Sequence, residues 1–186
     1  MKKVLLFAAI AVLIACNSST EKKEDAMGTM STDSTKKEDV VYAYPILYSN
    51  YEMGDSKNAQ TILNLWKDWD NGDLSKSKDN FADSVELHFR DGGYVKGKRD
   101  SVLSVAQSGR NTFSSVVSSV YSVSSLKAIN KSSNQNENWV AVWGKEVSTN
   151  KKGKTDSVWL HEVWRLNKAG KAEMLFQYAA QIPKMK

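Results

Sequence analysis

The chain has 186 residues, 41% of them hydrophobic, and a formal charge of +5. That is enough apolar material for one packed domain, and too little net charge to demand an acidic or nucleic-acid partner. One cysteine and two histidines exclude a disulfide framework and leave few ligands for a metal site.

Residues 1–16 read as a targeting segment. Lys2 and Lys3 precede the unbroken apolar run Val4 to Ile14, which is too short to span a bilayer as a helix. Without those two lysines the charge falls to +3. Leu13-Ile14-Ala15-Cys16 resembles the bacterial lipobox. The resemblance implies a lipoprotein signal peptide over 1–16 and lipidation of Cys16, with a thioether-linked diacylglycerol and an N-acyl chain such as palmitate. Two or three acyl chains anchor stably where one does not. The membrane would then be a partner through Cys16, and the location the bacterial cell envelope, at the outer rather than the inner membrane. An ordinary secretory signal with a chance cysteine is the plainer alternative.

Residues 17–39 read as a flexible polar linker, with Ala26, Met27 and Met30 as its apolar residues. Such a tether reaches roughly 25–30 Å. Lys22-Lys23-Glu24-Asp25 resembles the short charged signals that send some lipoproteins to the cell surface; a solvated charge run is the plainer reading. The folded domain is then 40–186.

Val40 to Gly54, with four tyrosines and Pro45, is expected as an irregular lead-in. Ser56 to Asp70 is a helix, capped by Asp55 or Ser56, with a stripe of Ala59, Ile62, Leu63, Trp66 and Trp69. Leu74 to Ala82 reads as a shorter helical piece. Val85 to Arg90 alternates as a strand that Asp91-Gly92-Gly93 turns. Lys98 to Asn111 is a second helix, with Val102, Val105, Ala106 and Gly109 on one face. Phe113 to Ile129 favours strand, Asn130 to Asn138 loop, and Trp139 to Thr149 strand.

Ser157 to Ala180 reads as a hairpin turned at Asn167 to Lys171. Val158, Leu160, Glu162, Trp164 and Leu166 share one face; Trp159, His161, Val163 and Arg165 share the other. Gln177 lies on the row Leu175, Gln177, Ala179. Glu162 and Gln177 are polar groups on apolar rows, which suggests a pocket. The order of elements is α+β, with helices on one side of an antiparallel meander.

Several phrases in order are similar to the nuclear transport factor 2-like superfamily, including its SnoaL-like and ketosteroid-isomerase-like members. They are Trp66-Lys67-Asp68-Trp69-Asp70-Asn71-Gly72-Asp73-Leu74, Phe81-Ala82-Asp83-Ser84 and Gly97-Lys98, then a hairpin containing Ala169-Gly170-Lys171. The resemblance implies a cone: a curved antiparallel sheet wrapped around N-terminal helices, with a deep pocket between. Ketosteroid isomerase, the handy case of a carboxylic acid held neutral, uses an Asp base, an oxyanion Tyr and a protonated Asp. Those positions fall here on Phe89, Leu65 and Glu162. Phe89 cannot accept a proton and Leu65 cannot donate one, so that mechanism is not supported.

Six tryptophans in a small domain fit an aromatic-lined pocket, or simply a core. The expectation is therefore a lipid-anchored module binding a small hydrophobic or aromatic ligand through Trp66, Phe89, Glu162, Trp164 and Gln177. Glu162 is the one catalytic candidate. The alternatives are a cyclase- or isomerase-like enzyme with a departed active site, and a structural, dimeric partner-binding domain. No metal, cofactor or nucleic acid is expected. Trp159, Val163 and Arg165 on the outer face would need a cover, and the family resemblance implies a homodimer there.

Overall fold

The computed structural model describes residues 42–182. The expectations for the signal segment, Cys16 and the linker lie outside these residues. The order is β1 (Tyr48–Met53), α1 (Ser56–Asn71), a 3-10 helix (Leu74–Asn80), β2 (Phe81–His88), β3 (Tyr94–Lys98), α2 (Arg99–Arg110), β4 (Phe113–Asn130), β5 (Gln135–Asn150), β6 (Thr155–Leu166) and β7 (Ala172–Gln181). One curved, unclosed sheet runs β1-β4-β5-β6-β7-β2-β3. Every neighbouring pair is antiparallel except β2 with β7. This is the α+β class expected from the order of elements, in the cone form that the family resemblance implies.

Local chemistry sets the element ends. The Asp55 side chain accepts from Lys57 N at 2.8 Å and starts α1; Gly72, at φ 77°, ends it in the left-handed region. The turns β5–β6 and β6–β7 repeat one solution, Asn-Lys-x-Gly-Lys. In each, the asparagine side chain accepts two backbone N–H groups: Lys152 and Lys154 on Asn150, Ala169 and Lys171 on Asn167. Gly153 and Gly170 take the positive φ that each turn requires.

The helices cover the concave face. Ile62, Leu65 and Trp66 from α1, and Val102, Leu103 and Ala106 from α2, pack with Val140, Val142, Val158, Leu160, Trp164 and Leu175 of the sheet. At the end of α1, buried Arg110 donates to the carbonyls of Trp69, Asp70 and Phe113. The guanidinium thus ties the C-terminal carbonyls of α1, where Trp69 O also accepts from Gly72 N, to the start of β4 at Phe113.

Several expectations shift. The lead-in contains a strand, because Tyr48–Met53 finds an open edge in β4. The piece after α1 is a 3-10 helix that stops at Asn80; Phe81 and Ala82 are already in β2. Tyr94–Lys98 pairs with β2, so the second helix starts at Arg99. Its buried face is Val102, Leu103, Ala106 and Arg110, whereas Val105 is 52% exposed and Gly109 is open to solvent. Leu65 and Asn58 replace Ala59 and Leu63 on the buried stripe of α1. The expected loop 130–138 shrinks to a turn, since β4 and β5 stay paired out to Asn130 and Gln135.

Candidate functional site

A cavity of about 460 Å³ lies between α1, α2 and the concave face. Its wall is largely apolar, including Leu65, Leu74, Phe81, Leu87, Phe89, Leu103, Leu160 and Leu175. Trp66, Trp69, Trp164, Glu146, Glu162, Gln177 and Arg90 also line it. The ligand-binding set expected from the sequence therefore meets at one place: Trp66, Phe89, Glu162, Trp164 and Gln177 all border the cavity. Leu65 does so too, so the three positions that correspond to the isomerase residues converge while two of them lack the chemistry.

Glu162 is the centre of the wall. Strand parity turns it inward with Leu160 and Trp164, and it is 5% exposed. Its Oε2 accepts the indole N–H of Trp66 at 2.5 Å and that of Trp164 at 2.8 Å. Its Oε1 accepts from Gln177 Nε2 at 2.7 Å. Gln177 stands directly opposite Glu162 in the β6–β7 register. Burial pushes the Glu162 carboxyl above its ordinary range; the three donors oppose this, and the charge of Glu146 adds to it. Among the described residues no cation contacts it. A carboxyl group with three donors has one position left on Oε1, where a neutral Glu162 would carry its proton.

The sequence reading missed a second carboxyl group. Glu146 on β5 is 5% exposed and lines the same cavity. Its Oε2 accepts from Trp69 Nε1 at 3.1 Å, and its Oε1 from Arg90 Nη2 at 3.2 Å. The signal was present: Glu146 is a lone glutamate on the inward row Val140, Val142, Gly144, Ser148, as Glu162 is on its own row. Strand alternation continued over Val85 to Arg90 would put Arg90 on the row of Glu86 and His88, away from Val85 and Leu87. The strand ends at His88, and the turn at Phe89 to Gly93 brings Arg90 round to the cavity mouth.

Trp66 and Trp69 lie three residues apart on α1, hence on one helical face. Each gives its indole N–H to a different glutamate on the sheet. Trp66 fits because β5 has Gly144 beneath it: a Cβ there would lie 2.9 Å from Trp66 Cζ3 and 2.7 Å from Ser119 O.

His161 and His88 both sit on the opposite face of the sheet. His161 stacks on Trp143, and His88 lies against Tyr94 and Phe176. Neither joins the cavity. Among the described residues, no group of three or more His, Cys, Asp or Glu side chains is gathered as a metal site would require. No helix among them is long and apolar enough to cross a membrane.

No protein-family profile matches the chain, and no curated protein matches it. Solved structures do. A nuclear transport factor 2-like protein of unknown function from Burkholderia pseudomallei superposes with a TM-score of 0.52 at 17% identity, over 67% of this chain and 91% of that one. An epoxide hydrolase from M. tuberculosis, described as LEH-like, gives 0.53 at 7% identity, over 67% and 84%. AusH from Aspergillus nidulans gives 0.51 at 14% identity, over 72% and 90%. The chain has the nuclear transport factor 2-like fold.

Proposed function

We propose that this chain is a lipid-anchored cell-envelope protein whose cone binds a small hydrophobic or aromatic ligand bearing a carbonyl or hydroxyl group. The observation that carries the binding reading is the cavity of about 460 Å³, apolar over most of its wall, with Glu162 and Gln177 converging inside. That combination of volume, apolar lining and few polar groups is the chemistry of a small-molecule site. The apolar wall takes up the body of the ligand. A neutral Glu162 donates to an oxygen acceptor, and the second N–H of Gln177 is available beside it. Arg90 and Glu146 neutralise each other at the mouth, so the lining favours an uncharged ligand. Anchoring rests on the lipobox at Cys16 and the polar linker that follows it.

Titration with the neutral dye N-phenyl-1-naphthylamine tests the cavity. The full chain carrying Cys16→Ser is used, so that no acyl chain takes up dye. Leu103→Trp, placed to fill the cavity, should weaken dye binding at least tenfold with unchanged far-ultraviolet circular dichroism. Equal binding by both proteins overturns the reading.

A proton-transfer enzyme is the second reading, and Glu146 is what favours it. Two carboxyl groups border one cavity in contrasting surroundings: Glu146 faces a guanidinium, Glu162 faces none. Such contrast separates a base from an acid. Glu146 would take a proton from the carbon next to a ligand carbonyl while Glu162 hydrogen-bonds the carbonyl oxygen. Deuterium exchange into 2-tetralone, above the buffer rate and lost in Glu146→Gln with dye binding kept, would establish it. The absence of exchange leaves the binding reading alone. The fold itself hosts both kinds of protein and does not choose.

A further inference from the structure

The four most exposed large apolar side chains among the described residues are Tyr44, Met53, Tyr42 and Tyr51, at 80%, 77%, 60% and 60%. Leu47, also exposed, lies between them in the chain. All five fall in one stretch, the lead-in and β1, where the described residues begin. The sheet order makes β1 an edge strand. From Leu47 to Met53 the edge runs roughly 20 Å at about 3.3 Å per residue. A tyrosine offers roughly 150–250 Å² of surface, so the three tyrosines alone leave on the order of 300–500 Å² in water. An exposed apolar run of that size marks a contact surface.

The backbone of this edge is poorly suited to taking another strand. Asn50 sits at φ 50°, and the β1–β4 register breaks between Ser49 and Glu52. A break of that kind blunts an edge against strand addition. Side chains, rather than unpaired backbone groups, therefore carry the contact. Their chemistry is that of a lipid–water interface, where a tyrosine buries its ring among acyl chains and headgroups and keeps its hydroxyl wet. Lys57, Lys127 and Lys131 flank the run, against Glu52 and Asp55. Lys127 stands opposite Glu52 in the register, 4.0 Å from its carboxylate, and Lys131 N donates to the Leu47 carbonyl at 2.8 Å. Lysine stems lie along apolar surface while their ammonium heads reach outward, here toward phosphates.

We propose that the edge from Tyr42 to Met53 is the surface by which the domain rests on a lipid bilayer. The inference rests on the lipid-anchored reading given above, and adds to it which side of the domain meets the lipid. The route of the chain selects a bilayer over other partners. The polar stretch after Cys16 joins the described domain at Tyr42, the first residue of this run. An anchored Cys16 on a tether of roughly 25–30 Å holds the run at high effective concentration beside the surface. A contact too weak to retain the protein by itself is then still occupied, and it fixes the orientation of the cone.

The test uses the full lipidated chain in vesicles of phosphatidylethanolamine and phosphatidylglycerol at 3:1. Lipidation consumes Cys16, the single cysteine, so Ala43→Cys supplies one free thiol for a nitroxide label beside Tyr42 and Tyr44. Lys154→Cys places the label in the β5–β6 turn, at the far end of β4 and β5 from β1. Oxygen concentrates in the acyl region and a nickel chelate stays in water, so the ratio of their effects on the nitroxide reads depth. That ratio should be at least tenfold higher at position 43 than at position 154. Adding Tyr42→Ser, Tyr44→Ser and Tyr51→Ser should lower it at least fivefold at position 43, with flotation and far-ultraviolet circular dichroism unchanged. Protein that floats with the vesicles but shows equal ratios at the two positions overturns this proposal and leaves the anchor standing. Protein that does not float overturns the anchor, and this proposal with it. A label at position 43 shielded from oxygen and nickel chelate alike would show another protein chain on this edge, and also overturns the proposal.

Discussion

The indole N–H of Trp66 donates to Glu162 Oε2 over 2.5 Å, joining the first helix to the sixth strand inside the cavity wall. Both side chains are buried, at 7% and 5% exposure. The bond makes Glu162 a fixed part of the wall rather than a mobile acid. It also makes Trp66 more than packing, and the two consequences are separable by substitution.

Glu162 should titrate above 4.5, the ordinary glutamate value. Its pKa is raised in the folded state, so the native protein holds its proton to higher pH than the unfolded chain. The associated stability is complete below the unfolded pKa and is lost as pH rises through the folded one. Glu162→Gln should remove that dependence once Gln177 turns its carbonyl toward the new amide. Carboxyl-resolved NMR gives the midpoint directly, and a midpoint near 4.5 would sink the neutral-acid role.

Trp66→Ala should cost about 3–5 kcal/mol, the range for emptying a buried aromatic site. Trp66→Phe keeps most of the volume and removes only the donor, so it should cost about 1–3 kcal/mol. Denaturant unfolding measures both. Equal losses would mean that the hydrogen bond, not the packing, sets the cost.

Gly144→Ala places a methyl group 2.7 Å from the Ser119 carbonyl oxygen, part of a paired strand that cannot easily retreat. The expected loss is about 1–3 kcal/mol, with Trp66 displaced toward the cavity. A melting temperature equal to that of the parent would show that the β4–β5 pair yields.

Arg90→Ala leaves the buried Glu146 carboxylate with Trp69 as its remaining hydrogen-bond donor. Arg90 itself keeps 27% side-chain exposure. The cost should fall between the roughly 1 kcal/mol of a surface pair and the roughly 3–5 kcal/mol of a fully buried one. Chemical denaturation at low and high salt checks it; an unchanged midpoint would place Glu146 in contact with water.

Cys16→Ser should move the protein from the membrane to the soluble fraction, because the linker has no second anchor in its sequence. Fractionation with and without detergent reads this out. Continued membrane association of the variant would refute the lipobox.

The alternating rows of the last hairpin made β6 and β7 readable in advance, and with them Glu162 and Gln177 as inward polar groups. Period-two alternation is a local property, so the residues alone carry it. The same holds for α1, with Asp55 before it and Gly72 after it, and for the repeated Asn-Lys-x-Gly-Lys turns. What the residues could not carry is pairing between distant segments. Tyr48–Met53 is a strand because β4 offers an edge, and β3 exists because β2 does; neither segment announces itself. The partners of Glu162 come from α1, β6 and β7, and those of Glu146 from α1 and the turn after β2. Which side of Arg90 faces the cavity depended on where β2 stopped, and periodicity fails at a strand end. Local sequence determined which residues turn inward. Only the curvature of the sheet, closing over α1 and α2, decided that two lone glutamates on separate strands would share one cavity with an arginine at its mouth.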